Sequence, residues 1–363
     1  EPGWQLEAMR IRDLITMTTG HRREPWLFNV ESDWVKTFLH SDIEFKPGTH
    51  FQYNSAATYM LSAILQSVTG ERLVDYLDKR LFRPLMIQKP DWDRSPEGIN
   101  TGGWGLRITT EDIAKLGQLY LQKGIWQGER ILSEAWVQEA TSKQTSNGSN
   151  PDNDWDQGYG YQFWRCRNDC YRGDGAFGQF CIVIPEHDAV VAVTSGTNDM
   201  GGVMQVVWDT LLPAMASEPL EADPAATRAL ALKLNALNLP LVQGKPRSLL
   251  SGKLAQRTFQ FFENEAGVHS VSFDLHDDDH RITFEMDHGR ETLRLGQGSH
   301  ISSELNRHLP YTQQMRRSIG ASGAWIKPDE YQAKIYFTQS PASIIYTFRF
   351  ENNRMSWASE VRH

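Results

Sequence analysis

The sequence has few cysteines and no long apolar run, and each shortage excludes a class of protein. No stretch approaches the roughly 20 apolar residues that a membrane-spanning helix needs. Cys166, Cys170 and Cys181 are too few, and odd in number, to form a disulfide framework. Ligands for zinc do not accompany them at the usual spacing. Cys166 and Cys170 bracket the segment CRNDC and could pair in an oxidising compartment, but structural or loosely paired thiols are the favoured interpretation.

An excess of basic residues is also missing. The formal net charge is -8 at pH 7 and the sequence pI is about 5.8. A nucleic-acid partner requires a basic face, so we expect no such partner. The 363 residues, 40% hydrophobic and 23% charged, are ordinary for a globular protein and enough for two domains.

Residues 1–215 alternate helical patterns with turns, which predicts an α/β (α+β) fold. A capping-box pattern at Thr109 and Asp112 starts a helix. Residues 179–194 form two apolar runs around a turn, which predicts a β-hairpin in the centre of an antiparallel sheet. Because both strands are apolar throughout, we expect helices on both faces of this sheet, with 203–212 as one of them.

The remaining sequence has a different composition and residue pattern. Residues 216–244 combine a linker rich in Pro, Ala and Glu with a short helix. Residues 245–363 show strong alternation of apolar and polar residues between turns, which predicts a separate antiparallel β domain.

One acidic stretch of the β domain raises the question of a metal site. It contains Asp274, His276, Asp277, Asp278, Asp279 and His280. Such a stretch is more often a solvated hairpin turn than a ligand set. We therefore expect neither a metal nor another cofactor.

Tyr53 is the first candidate functional residue. It lies in HFQYNSAATYMLSAILQSVTG, directly before a run whose apolar spacing predicts a helix that ends at Gly70. A residue at such a junction is held rigidly and can still face a cleft. The alternative is that Tyr53 is a packing aromatic whose hydroxyl is satisfied by a neighbour.

Three further stretches place Tyr53 in a known context. They are MRIRDLITMTTGH at 9–21, NTGGWGLRITTEDIAKLGQLYLQKG at 100–124, and YRGDGAFGQFCIVIPEHDAVVAVTSG at 171–196. In this order, with Tyr53 between the first two, they resemble the penicillin-recognising serine hydrolases. That family includes class C β-lactamases, D-alanyl-D-alanine peptidases, family VIII carboxylesterases and aminohexanoate-oligomer hydrolases. The resemblance covers roughly residues 5 to 215 and implies a β-lactamase-like sheet flanked by helices.

The resemblance also implies a chemistry, the hydrolysis of small esters or amides through an acyl-enzyme. Tyr53 matches the family tyrosine that acts as general base and then as general acid. Asn54 and Ser55 match the next two positions as substrate-binding residues but depart from the usual Tyr-Ser-Asn or Tyr-Ala-Asn. Either the shorter Ser55 hydroxyl replaces the amide that holds a substrate carbonyl in the family, or Asn54 does this in a different way. The substrate-lining strand matches Gly173, Asp174 and Gly175, without the Lys or His that attracts a substrate carboxylate. Ala176 would offer its N–H as an oxyanion donor. The missing cation favours esters or neutral amides over β-lactams.

The family's Ser-x-x-Lys motif, which carries the nucleophile, is absent. No lysine of this sequence has Ser or Thr three residues before it. In the family this motif precedes the stretch that resembles residues 9–21, so we expect the nucleophile on a separate N-terminal segment and this chain alone to be inactive. The alternative is a non-catalytic relative that binds a ligand or peptidoglycan. Relatives are often bacterial and extracytoplasmic, which favours a periplasmic or secreted location.

Overall fold

The computed structural model describes residues 3–27, 33–255, 257–264, 267–276, 279–306 and 316–362. These residues divide into two units, each with its own core. The first unit comprises the described residues up to 195 together with 199–215, and the second comprises 196–198 and the described residues from 216 onward. Each unit is considered by itself below.

The first unit is mixed α/β, as predicted. Its helices are α1 (Trp4–Ala8), α2 (Ile11–Ile15), α3 (Trp34–Leu39), α4 (Ser55–Thr69), α5 (Leu73–Leu77), α6 (Thr110–Leu121), α7 (Glu134–Thr141) and α8 (Met200–Val206). Its strands are β1 (Asp91–Trp92), β2 (Leu106–Arg107), β3 (Ile125–Trp126), β4 (Glu129–Arg130), β5 (Trp164–Arg165), β6 (Tyr171–Gly175), β7 (Gln179–Ile184) and β8 (Ala189–Val193). Among the described residues, no helix is both long and apolar enough to span a bilayer.

Strands β5 to β8 form a four-stranded antiparallel sheet in sequence order. The hairpin predicted at 179–194 is confirmed, with a 3₁₀ turn at Pro185–His187 between its strands. The prediction that this hairpin lies in the centre of the sheet is wrong within the described residues, because β8 is an edge strand there. Apolar alternation alone does not distinguish a central strand from an edge strand that helices cover.

Helices cover both faces of this hairpin. Helix α6, which begins with the predicted Thr109–Asp112 capping box, packs against β7 and β8. On the other face Phe180, Ile182 and Ile184 form a core cluster with side chains of α8 and the π-helical turn Val207–Leu211 that continues it. The predicted helix at 203–212 is therefore confirmed as part of the cover.

Gly117 of α6 lies directly against the sheet. A Cβ atom there would lie 2.6 Å from Val190 Cγ1 and 2.8 Å from Cys181 Sγ. Alanine favours a helix over glycine by about 1 kcal/mol, but overpacking a core costs about 1 to 3 kcal/mol. We therefore expect Gly117→Ala to lower the free energy of unfolding by about 1 kcal/mol, as measured in urea.

Gly201 of α8 gives the matched control. A Cβ there would meet only Asp199 Oδ1, at 4.0 Å, so Gly201→Ala gains helix propensity without a clash. It should leave stability unchanged or slightly higher. Stabilisation by Gly117→Ala would contradict the close packing of α6 on the hairpin.

The second unit is a curled, mainly antiparallel sheet that follows an exposed helix, and within it β12 pairs with β14 in parallel at Gly296 and Ser322. Its helices are α9 (Pro224–Asn235) and α10 (Ser251–Leu254). Its strands are β9 (Thr258–Gln260), β10 (Val268–Asp274), β11 (Asp279–Met286), β12 (Gly289–Gly296), β13 (Ile301–Asn306), β14 (Arg316–Lys327), β15 (Glu330–Phe337), β16 (Ser343–Glu351) and β17 (Arg354–Arg362). The strand order is β17-β16-β15-β14-β12-β11-β10-β9, with β13 paired to β14. The β sheet predicted for this part of the sequence is thus confirmed.

The described part of the acidic stretch forms ion pairs at the start of β11. Asp279 pairs with Arg281 at 2.8 Å and with Arg294 at 3.0 Å. His280 is fully buried, and its Nδ1 lies 2.8 Å from the Tyr331 hydroxyl. Asp277 and Asp278 lie outside the described residues. Within the described ranges, no group of three or more His, Cys, Asp or Glu side chains is placed to hold a metal.

Candidate active site

Tyr53 lies where the chain enters α4, as the sequence predicts. The backbone before it is anchored by a hydrogen bond from Gln52 N to Met17 O, 2.9 Å long. Its ring stacks on Trp164, with centroids 5.4 Å apart and planes inclined at 27°, and meets Tyr159 edge-on at 6.5 Å. Tyr53 is 37% exposed. No group in the described residues hydrogen-bonds its hydroxyl, which is therefore available to a ligand.

Asn54 is the N-cap of α4 and is completely buried. Its Oδ1 accepts a hydrogen bond from Ala57 N at 3.0 Å, and its Nδ2 donates to Thr19 Oγ1 at 3.3 Å. Both ends of the amide are thus occupied by protein groups. The complete burial of Asn54 keeps its second Nδ2 hydrogen away from solvent, so direct contact with a substrate carbonyl would require the loop to move.

Ser55 begins α4, and a carboxylate holds its backbone. Glu24 Oε1 accepts hydrogen bonds from Ser55 N at 2.7 Å and from Ala56 N at 3.2 Å. A carboxylate at a helix N-terminus satisfies otherwise unpaired N–H groups and is favoured by the helix dipole. Sequence reasoning missed Glu24, because its partners are more than thirty residues further along the chain.

The electrostatic surroundings of Tyr53 favour the neutral phenol. Although the ring is partly exposed, desolvation by the surrounding protein raises the pKa of Tyr53, and the nearby carboxylates of Asp174 and Glu24 raise it further. No cation among the described residues acts on Tyr53 to lower its pKa. Tyr53 therefore needs an additional positive charge before it can act as a base near neutral pH.

Gly173, Asp174 and Gly175 form the end of β6, paired with β7. A Cβ atom at Gly173 would meet nothing within 4 Å, so open space lies on that side of the strand. Ala176 follows in an exposed turn, and its N–H donates to no group in the described residues. Both features leave room beside the strand for a ligand.

Asp174 has a different environment, because its side chain is only 7% exposed. Its Oδ2 accepts hydrogen bonds from Arg172 Nε and from Trp155 Nε1, each 3.1 Å long. Burial raises the pKa of Asp174, while the charge of Arg172 and hydrogen bonds from Arg172, Trp155 and Trp164 oppose that rise. Arg172 itself is fully buried, with its guanidinium 4.7 Å from the Trp155 ring centroid and 5.6 Å from that of Trp164.

Trp164 connects the two parts of the candidate site: its ring stacks on Tyr53 and lies 5.6 Å from the guanidinium of Arg172, which pairs with Asp174. Sequence reasoning missed Trp155, Trp164 and Arg172. The segment GYGYQFWRC is rich in aromatic residues, but composition did not indicate which ring Tyr53 would meet. An arginine next to a glycine-rich strand start also gives no sign of complete burial.

All three cysteines are free. Cys166 and Cys170 face each other at the end of the β5–β6 hairpin, where Cys166 N donates to Cys170 O at 3.0 Å. Cys166 Sγ accepts a hydrogen bond from Arg172 Nη1, also 3.0 Å long. Burial raises the pKa of Cys166 to about 11 and that of Cys170 to about 12. These thiols pack as small buried groups, in agreement with the structural interpretation.

His21 supports the loop that carries Tyr53 and Asn54. Its Nδ1 lies 2.8 Å from Thr19 Oγ1, which also accepts a hydrogen bond from Asn54 Nδ2. Burial lowers the pKa of His21 to about 4, against about 6.5 in an unfolded chain. The neutral ring is therefore favoured in the folded protein, and its contribution to stability is complete above pH 6.5.

We expect this contribution to be lost as pH falls from about 6.5 to about 4, at a total cost of up to about 3 kcal/mol. The measurement is the free energy of unfolding in urea between pH 7 and pH 4. His21→Gln should show a weaker loss over this range than the original protein. His40→Gln is the control, because His40 is exposed, and it should behave as the original. Equal pH dependence in His21→Gln would contradict the burial of a neutral ring.

The sequence and fold are similar to those of known proteins. The family model described as Beta-lactamase matches residues 2–214. The 6-aminohexanoate-dimer hydrolase of Paenarthrobacter ureafaciens is 29% identical over 165 residues, which are 41% of this chain and 40% of the relative. The chain therefore matches about two-fifths of the length of that curated relative.

Two solved structures are similar at lower identity. An octameric penicillin-binding protein homologue from Pyrococcus abyssi is 16% identical, with a TM-score of 0.43 over 97% of this chain and 79% of the other. A beta-lactamase from Mycobacterium bovis is 19% identical, with a TM-score of 0.43 over 57% of this chain and 75% of the other.

Proposed function

The chain belongs to the beta-lactamase family, and from this we propose that it acts as a serine hydrolase that cleaves small esters or amides through an acyl-enzyme. The observation that carries the proposal is Tyr53. Its hydroxyl is unengaged in the described residues and stands at a rigid loop-to-helix junction, within electrostatic reach of the glycine-rich strand. A packing aromatic would have its hydroxyl satisfied or removed from water.

In the proposed reaction Tyr53 carries the proton. A serine oxygen attacks the substrate carbonyl carbon while the Tyr53 oxygen accepts the serine proton. Tyr53 then donates this proton to the leaving oxygen or nitrogen as the carbonyl carbon releases it. Water repeats the sequence on the acyl-serine ester. The Ala176 N–H, free of protein partners in the described residues, would stabilise the carbonyl oxygen as negative charge develops on it.

The serine and a lysine have to be supplied from outside this sequence, since it contains no Ser-x-x-Lys. The lysine ammonium would provide the positive charge that Tyr53 lacks here and would lower its pKa. Ser55, Gly173 and Gly175 would line the substrate cleft. Asn54 and Asp174 would contribute through their backbones, because their side chains are engaged.

Burial of the charge next to β6 favours neutral substrates. Arg172 directly precedes Gly173, but it is fully buried and paired with Asp174 at 2.9 Å. It offers no charge to a substrate carboxylate. Esters and neutral amides are therefore the proposed substrates, ahead of carboxylate-bearing β-lactams.

A fluorophosphonate probe tests the proposal, because it labels activated serines. We expect no stoichiometric labelling of residues 1–363 alone. A protein that also contains the residues encoded upstream should take up one equivalent, on the serine of a Ser-x-x-Lys, and should hydrolyse a nitrophenyl acyl ester. Stoichiometric labelling of the chain alone would overturn the account of the nucleophile. If no such motif is encoded upstream and no ester is cleaved, a non-catalytic binding protein replaces the hydrolase.

A further inference from the structure

The turn that joins β6 to β7 holds a backbone conformation that one of its residues does not favour. Phe177 and Gly178 have φ values of 67° and 84°. Glycine adopts such values readily, but a bulky side chain at positive φ is an outlier. Backbone in a sparsely populated conformation persists only where its surroundings fix it, and such positions cluster at functional sites. Ala176, which offers the proposed oxyanion donor, directly precedes these two residues.

Ser195, which lies just after β8, holds this turn through its hydroxyl group. Its Oγ donates to Gly178 O at 2.7 Å, and Phe177 O lies 3.1 Å from the same atom. Gly178 is buried, and a buried carbonyl oxygen needs such a donor. The hydroxyl group therefore fixes the two residues that have positive φ.

Gln179, the first residue of β7, holds the same turn through its side-chain amide. Its Nε2 donates to Ser195 O at 2.6 Å. The same nitrogen lies 3.4 Å from both Ala176 O and Phe177 O. The amide thus joins the turn to the chain that leaves β8.

The segment that carries Ser195 is itself attached to a helix. Thr194 Oγ1 lies 2.8 Å from the hydroxyl of Thr110, the first residue of α6. Helix α6 packs against β7 and β8. Ser195 is therefore held by elements that do not depend on the turn.

We propose that Ser195 and Gln179 are positioning residues that hold the Ala176 N–H in the direction in which the substrate carbonyl oxygen develops its charge. The inference rests on the proposed function, in which Ala176 is an oxyanion donor. A donor of this kind lowers the barrier most when it is oriented in advance, because no reorganisation is then needed during the reaction. The hydroxyl group and the amide contribute to the rate without contact with substrate.

The first experiment requires no catalysis. It measures the order parameter of the Ala176 amide in residues 1–363 by ¹⁵N relaxation. The original protein should show a rigid amide, with a value of about 0.85, and Ser195→Ala a value below about 0.6. Ser41→Ala is the matched control, because Ser41 Oγ also donates to a backbone carbonyl, Thr37 O, at 2.7 Å. It should leave the Ala176 amide rigid, whereas a rigid amide in Ser195→Ala would overturn the proposal.

The second experiment uses the active protein with a nitrophenyl acyl ester and with its thionoester, in which sulfur replaces the carbonyl oxygen. Sulfur accepts hydrogen bonds weakly, so the thionoester gains little from an oxyanion donor. Ser195→Ala should lower kcat on the ester by about tenfold with little change in KM, and should lower kcat on the thionoester much less. Equal losses on both substrates would indicate a general structural defect and would overturn the proposal.

Two further variants test the hydrogen bonds themselves. Ser195→Thr keeps a hydroxyl group and should retain most of kcat on the ester. Gln179→Glu keeps the shape of the side chain but replaces the donor with an acceptor, so it should show the same selective loss on the ester. It also provides a second route if Ser195→Ala does not fold. Full ester activity in Gln179→Glu, or equal losses in Ser195→Thr and Ser195→Ala, would contradict the proposed contacts.

The two experiments separate this inference from the proposed function. If the Ala176 amide becomes mobile in Ser195→Ala but the longer protein cleaves no ester, the contacts that hold the turn stand. The hydrolase then falls, and with it the catalytic purpose of these contacts. If the ester is cleaved but Ser195→Ala changes neither the amide nor kcat, the hydrolase stands and the role of Ser195 falls.

Discussion

Tyr53→Phe is expected to lower kcat on a nitrophenyl acyl ester by about 10²- to 10⁴-fold, the usual range for loss of a general acid–base group. Phenylalanine keeps the ring, so its stack on Trp164 remains. The substitution removes the one atom that could carry the proton. The measurement requires the active protein, with the nucleophile present. The melting temperature should change little, because the Tyr53 hydroxyl has no hydrogen-bond partner in the described residues.

Tyr59→Phe, on the helix that follows Tyr53, is the matched control. Tyr59 is fully buried, and its hydroxyl donates to Ser95 Oγ at 3.2 Å. Its replacement should cost about 1 kcal/mol of stability, the net value of a buried hydrogen bond, and should leave kcat unchanged. Opposite results for the two tyrosines would mean that Tyr53 is a packing residue and that the proposed proton transfer is wrong.

The largest effect on stability is expected from Asp154→Ala. The side chain of Asp154 is 5% exposed and accepts hydrogen bonds from Arg167 N at 3.0 Å, from Arg167 Nη2 at 3.0 Å and from Trp208 Nε1 at 2.9 Å. It ties the loop before β5 to the β5–β6 hairpin and to the helical segment after α8. Its replacement leaves the Arg167 N and Trp208 Nε1 donors without a partner, at a cost of about 1 to 3 kcal/mol each, whereas the Arg167 guanidinium, 29% exposed, can be solvated.

Urea unfolding followed by tryptophan fluorescence measures this loss. Asp169→Asn is the control: Asp169 lies in the β5–β6 hairpin that Asp154 binds, its side chain is fully exposed, and asparagine tolerates its positive φ. This substitution should change stability by less than about 0.5 kcal/mol. A loss below about 1 kcal/mol for Asp154→Ala would contradict the central place given to this carboxylate.

Local patterns in the sequence were sufficient to predict several elements. The apolar spacing after Tyr53 predicts α4, the Thr109–Asp112 pair predicts the start of α6, and the two apolar runs predict the β7–β8 hairpin. Each depends on interactions between residues close in the chain. The edge position of β8 depends on the whole sheet, which is why the pattern did not predict it.

The candidate site was only partly predictable for the same reason. The place of Tyr53 at a helix start follows from its neighbours, and Asn54 is a residue type preferred at N-caps. The sequence interpretation nevertheless assigned the Asn54 amide to substrate, because the partner that occupies it, Thr19, is 35 residues away. Burial of Arg172 and Asp174 likewise results from tryptophans on other segments, whose positions no single stretch reveals.

Helix α9 has a consequence for how the chain responds to proteases and to solvent. It buries none of its side chains, and Leu230, Leu232 and Leu234 are each more than half exposed. A helix of twelve residues without packing is marginal in water, so the cap at Asp223 and its Pro224 at N1 provide most of its local support. Its amide hydrogens should therefore exchange far sooner than those of β7 or β15, and limited proteolysis should first cut the chain between residues 216 and 240.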